Sequence, residues 1–125
     1  MTENMEEAVE LLKENILTPL LYVVEYDNMV QFICFCDKNI KLKVLYETAD
    51  KITAILGVAA EIFDIREFSE AERLEIMSHG QMVYSENPII EEMFMLSMAE
   101  DYRKTVAEKN YMLERYRENG AYYLQ

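Results

Sequence analysis

Glu61 and Asp64 lie in AAEIFDIREF (residues 59–68), a stretch whose neighbouring side chains are largely apolar. Its apolar and aromatic content reads as a strand. Carboxylates in such a strand either hold a cation or end at water, because a buried unpaired charge is too costly to keep. A second acidic pair, Glu25 and Asp27, closes LLYVVEYD with i, i+2 spacing. Strand geometry would put that pair on one side of the sheet. With Glu61 they are the weak candidates for a metal site, if the first strand neighbours the later one. Asp27-Asn28 reads first as turn chemistry.

Other reactive side chains are few. Cys34 and Cys36 are separated by one residue, with no second cysteine pair and no histidine nearby, so a zinc site is not expected. They read as reduced core residues on one face of a strand. His79, the only histidine, ends a short helical segment and reads as a capping or surface residue rather than a catalyst. Lys38, Lys41 and Lys43 form the one basic cluster, which reads as a solvated helix start. Nine tyrosines and nine methionines read as core and interface packing.

Composition bounds the class. The chain has 125 residues, enough for a single domain over 1–125 with one core, and 51% of them are hydrophobic. Three glycines and two prolines leave little room for long loops. No apolar run is long enough to span a membrane, and the acidic MTENMEEAVE is not a signal peptide, which points to a cytoplasmic protein. The net charge of -12 repels nucleic-acid phosphates and anionic lipid. That acidity either favours a basic protein partner or serves solubility alone.

The elements that must position these residues follow from periodicity. Asn4 with Glu7 resembles a capping box, and Met5, Ala8, Val9, Leu12 and Ile16 follow helical spacing. Thr18-Pro19 stops that helix. Strands over 20–26 and 29–36 are joined by a turn too short for a crossover, so they pair as an antiparallel hairpin. Residues 37–43 form a loop or begin the next helix, whose apolar stripe runs from Val44 to Leu56 before Gly57. After the strand at 59–68, Ser69 and Glu72 form a capping box for a helix that Gly80 ends. QMVY (81–84) is a short strand. Asn87-Pro88 opens a helix that persists to about residue 119, a length of about 50 Å. Phe94, Met98, Tyr102, Thr105, Met112 and Tyr116 lie roughly along one of its faces. That face is either a subunit interface or an intramolecular contact. The order predicts an α+β fold: a small mixed or antiparallel sheet of about four strands covered by helices, with a long C-terminal helix over about 88–119.

With EIFDIR as the strand, IMSHGQMVYSENP as a glycine-tyrosine segment and MFMLSMAEDYRK as the following helix, residues 59–104 resemble the latter half of a minimal nucleotidyltransferase of the DNA polymerase β-like superfamily. The first half matches only in the order of its elements. The resemblance implies a Gly-Ser turn that holds nucleotide phosphate, a D-x-D pair that binds two magnesium ions, and a third carboxylate from the later strand. Glu61 falls on that third position, with Glu for the usual Asp. Asp64 falls on the second acidic position of the strand, which is not a ligand.

The remainder departs from the pattern. No glycine precedes Gly57, so the Gly-Ser turn and its helix are missing. Val30, Gln31, Phe32, Ile33 and Cys34 stand where D-x-D belongs, and none suits a hard cation. The expectation is a degenerate, catalytically inactive relative, without cofactor, acting through protein–protein contacts. Its partner would be a second copy or, by resemblance, the HEPN-type helical protein of a toxin–antitoxin module. The alternative is a divergent enzyme that uses magnesium and ATP to transfer a nucleotidyl group to a protein or small hydroxyl acceptor, with Glu61 its vestigial catalytic candidate.

Overall fold

A computed structural model describes residues 2–36 and 38–119, with backbone alone for 101, 102, 105, 106, 109, 113 and 115–119. The chain runs α1 (Glu3–Asn15), β1 (Leu20–Glu25), β2 (Met29–Cys34), α2 (Leu42–Leu56), β3 (Ala59–Asp64), α3 (Glu70–His79), β4 (Gln81–Ser85) and α4 (Pro88–Asn119). The strands form one mixed sheet in the order β3-β2-β1-β4. β1 pairs antiparallel with β2 and with β4, and β2 pairs parallel with β3. A parallel neighbour requires a crossover, which α2 supplies. The α+β architecture inferred from the order of elements is the one observed.

Strand alternation divides the core in two. Leu21, Val23, Val30, Phe32, Cys34, Ala60 and Ile62 face α1 and α2, where Met5, Ala8, Val9, Leu12 and Ile52 meet them. Leu20, Tyr22, Ile33 and Phe35 face the opposite way, against Leu74, Ile76 and Met77 of α3 and Phe94 and Met98 of α4. Phe35 links the second core, lying 5.7 Å from the Tyr22 ring and 5.2 Å, edge-on, from the Phe94 ring. Thr18, buried between α1 and β1, accepts the Phe35 amide at 2.8 Å and donates to the Leu20 carbonyl. One small side chain thus satisfies two buried backbone groups.

The local signals held at most element ends. Gly57 adopts φ 75°, the left-handed conformation that glycine enters without steric cost, and stops α2. Asn87 caps α4 through the Ile90 amide at 3.0 Å. At Gly80 a Cβ would stand 2.5 Å from the Ile76 carbonyl oxygen, so the passage from α3 to β4 requires glycine.

Several boundaries differ from expectation; β1 ends at Glu25 and β2 at Cys34, short of residues 26 and 36. α1 is capped by Thr2, whose hydroxyl accepts the Met5 amide at 3.2 Å, and Asn4 lies inside the helix rather than at its cap. The strand from Ala59 stops at Asp64 instead of Phe68. There the Asp64 carboxylate accepts the Arg66 amide at 2.9 Å and Glu67 accepts the Asp64 amide at 2.8 Å, closing a single 3-10 turn over Ile65–Glu67. Local side-chain acceptors take the backbone away from the ladder. Residues 38–41 form a loop, and α2 starts at Leu42.

Candidate functional site

Glu61 projects on the α3–α4 side of β3, the side that Phe63 shares, and its carboxylate is exposed. The parallel register sets it beside Gln31 of β2, and Gln31 pairs in turn with Val24 of β1. The row across the sheet is therefore carboxylate, amide, isopropyl. Beside it α3 leaves a groove of about 320 Å³ lined by Val24, Tyr26, Gln31, Phe68, Ile76 and His79 among others. Glu72 and Glu75 also line it, so its polar rim sets two carboxylates beside Tyr26, Gln31 and the His79 imidazole. Spacing alone could not reveal this groove, because it forms where α3 lies over the turn end of the β1–β2 hairpin.

The other acidic candidates do not join Glu61. Glu25 pairs with Val30 and shares the α1–α2 side of the sheet with Leu21 and Val23, the side away from Glu61. Strand β2 also lies between β1 and β3. Asp27 sits exposed in the turn over residues 26–28, which the Tyr26 amide closes by donating to the Met29 carbonyl at 2.8 Å. That turn joins β1 directly to β2, with no helix between them. Among the described residues, no three His, Cys, Asp or Glu side chains gather where they could hold a metal ion.

Asp64 has a conformational task. Its side chain is only 12% exposed and forms an ion pair with Arg66 at 2.6 Å, in addition to the amide that it caps. At the next boundary Ser69 and Glu72 cap each other's backbone amides. Those hydrogen bonds favour the ionised Glu72 and lower its pKa from the ordinary 4.5. His79 ends α3 at the surface.

Both cysteines are free and buried on the α1–α2 side. Cys36 donates to the Leu17 carbonyl at 3.4 Å. The hydrogen bond between the two thiols holds Cys34 well above the usual thiol range, and burial adds to that. The same bond lowers Cys36, against the opposing effect of burial.

Of the two uses left open for the face of α4 through Phe94 and Met98, its first turns make the intramolecular contact. Met98 is 6% exposed and packs with Phe94 into the second core, so these two serve the chain's own interior. Met112 is exposed, while the side chains of Tyr102, Thr105 and Tyr116 lie outside the described ones. The opposite side carries Ile89, Met93 and Leu96, each more than 60% exposed. Their i, i+4, i+7 spacing was visible in the sequence, where the second apolar stripe through Phe94 and Met98 overshadowed it. Among the described residues, no helix is long and apolar enough to cross a membrane.

No protein-family model matches the sequence, and no curated protein matches it. Solved structures do match the fold. A chain of the toxin–antitoxin MntA–HepT crystal structure superposes with a TM-score of 0.73 at 18% identity, covering 90% of this chain and 95% of that one. A chain of the complex of tri-AMPylated Shewanella oneidensis HEPN toxin with MNT antitoxin gives 0.73 at 18% identity, covering 90% and 94%. A toxin–antitoxin structure with AMP-PNP gives 0.73 at 15% identity, covering 91% and 98%. The fold is thus the minimal nucleotidyltransferase type, as the residues from 59 onward suggested.

Proposed function

We propose that this chain is an antitoxin-like protein of the minimal nucleotidyltransferase fold that acts by holding a HEPN-type helical partner and does not transfer nucleotides. The observation that carries this reading is the three-residue turn between β1 and β2. A nucleotidyltransferase places its phosphate-holding turn and helix at that point, with backbone N–H groups aimed at the phosphates. Here a closed hairpin turn leaves no such cradle.

The donor set beside Glu61 agrees. Two magnesium ions need several anionic oxygens, whereas the in-register neighbours of Glu61 on this side are an amide and a hydrocarbon. The residues present do not fit a two-metal centre. The similar solved structures support the partner class, because they come from toxin–antitoxin complexes, one of them a HEPN toxin with an MNT antitoxin. The two free, buried cysteines accord with a reducing compartment such as the cytoplasm.

A second reading, a divergent magnesium-dependent nucleotidyltransferase, is favoured by one feature. The groove beside Gln31 lies on the same side of the sheet as Glu61. Titration calorimetry with magnesium and ATP separates the two. The non-catalytic reading expects no heat of binding up to about millimolar nucleotide. Micromolar binding that Glu61→Ala abolishes would overturn it. Co-expression with a HEPN-type toxin is expected to relieve its toxicity equally for the wild type and Glu61→Ala. Transfer of radiolabelled AMP to the toxin would establish the enzyme.

A further inference from the structure

Helix α4 turns two opposite sides to two different environments. Phe94 and Met98 face the sheet, and Ile89, Met93 and Leu96 project away from it at 69%, 64% and 63% exposure. The 4-3 spacing of that outer row continues without a break through Glu100, Arg103, Ala107, Asn110 and Glu114, all exposed. This row is apolar at Ile89, Met93, Leu96 and Ala107 and polar elsewhere, a partial version of the heptad seam of a two-helix pair. It extends over about 38 Å at about 1.5 Å per residue.

Charge divides the same helix. Residues 86–101 carry Glu86, Glu91, Glu92, Glu100 and Asp101 with no lysine or arginine. Residues 102–117 carry Arg103, Lys104, Lys109, Arg115 and Arg117 against Glu108 and Glu114. An antiparallel second copy sets the acidic half of each helix on the basic half of the other. A parallel pair would oppose Glu100 to Glu100 and Arg103 to Arg103.

We propose that α4 is a self-association surface: two copies of this chain pair antiparallel along the row from Ile89 to Glu114 about a two-fold axis. In that register Leu96 meets the partner subunit's Ala107, and Glu100 meets the partner subunit's Arg103, each contact occurring twice. Glu100 already reaches Lys104 in its own helix at 3.8 Å, but both side chains are 68% exposed, and such a pair contributes little. The sheet of each copy lies on the far side of its own helix, so the seam brings no domain into another. The net charge of -12 opposes approach at long range. Salt screens that repulsion beyond about 10 Å at about 0.1 M, leaving local complementarity to decide. Few seam positions are strongly apolar, so the dimer is reversible.

Sedimentation equilibrium of the full chain, from about 5 μM to about 500 μM, reads this directly. The mass is expected to rise from 14.8 kDa toward twice that value. Leu96→Glu should hold it at the monomer, and Arg103→Glu should weaken association about tenfold or more. Both side chains are exposed, so circular dichroism and melting stay as in the wild type. Lys51→Glu on α2, an equal change of charge away from the seam, should leave association unchanged. Combining Glu100→Arg with Arg103→Glu should restore it to within about threefold, because the pair is merely reversed. A monomer at every concentration overturns the proposal. So does a dimer indifferent to Leu96→Glu, or a double reversal as weak as Arg103→Glu alone. The measurement uses the chain without a toxin, so its failure leaves the HEPN-partner reading standing.

Discussion

On the side of the sheet covered by α1 and α2, Leu21, Val23, Val30, Phe32, Cys34, Ala60 and Ile62 are all at most 9% exposed. On the side covered by α3 and α4, closure is confined to one end, where Leu20, Tyr22, Ile33 and Phe35 meet Phe94 and Met98. At the other end Val24 and Gln31 are only half-buried and Glu61 is exposed. The coverings explain the difference. α1 buries Met5, Ala8, Val9 and Leu12, whereas α3 has no fully buried residue and lies over the sheet through partly buried Leu74, Ile76 and Met77. The closed side carries stability. The half-open side holds Gln31 beside Glu61, with Glu72 and Glu75 along the groove that α3 leaves.

This contrast can be broken by measurement. Phe32→Ala empties a fully buried site on the closed side and should cost about 3–5 kcal/mol in urea denaturation. A cost below about 1 kcal/mol would show that side to be loosely packed. Thr18→Val strands the Phe35 amide and should cost about 1–3 kcal/mol.

Ser69→Ala removes the cap of α3, the weaker cover, and should cost about 1 kcal/mol. Because the folded pKa of Glu72 is lowered, its own contribution is present above the ordinary 4.5 and is lost as pH falls through the lowered folded value. Thermal melts of Glu72→Gln and the wild type should therefore differ at pH 7 and converge in acid. Gln31→Leu, in the open groove, should shift stability by no more than about 0.5 kcal/mol. A large loss there would mean that the two sides are equally closed.

The elements were legible because their signals are local. The Asn87-Pro88 start, the Gly57 and Gly80 stops, the Ser69–Glu72 box and the hairpin turn at Asp27-Asn28 each rest on side chains within a few residues. Two local signals competed with stronger ones. Thr2 outran Asn4 because its hydroxyl reaches the Met5 amide, and Asp64 ended a strand whose apolar pattern continues to Phe68. The site was less legible. Glu61 was visible as a residue, but its neighbours were not. The i, i+2 spacing of Glu25 and Asp27 suggested a shared side, whereas Asp27 had already left the strand for the turn.

By itself, the sequence determined the kinds and order of the elements, the absence of a glycine-rich phosphate turn, and the two apolar stripes of α4. These follow from backbone sterics and from periods of 2 and 3.6 residues, which a chain carries wherever it folds. Only the tertiary structure decided that β2 stands between β1 and β3, which parts Glu25 from Glu61 and sets Gln31 beside Glu61. It also decided which stripe of α4 meets the sheet and which meets water. The physical reason is that strand order and helix docking are settled by contacts between residues far apart in the chain, where total burial chooses among arrangements that local geometry leaves equally open.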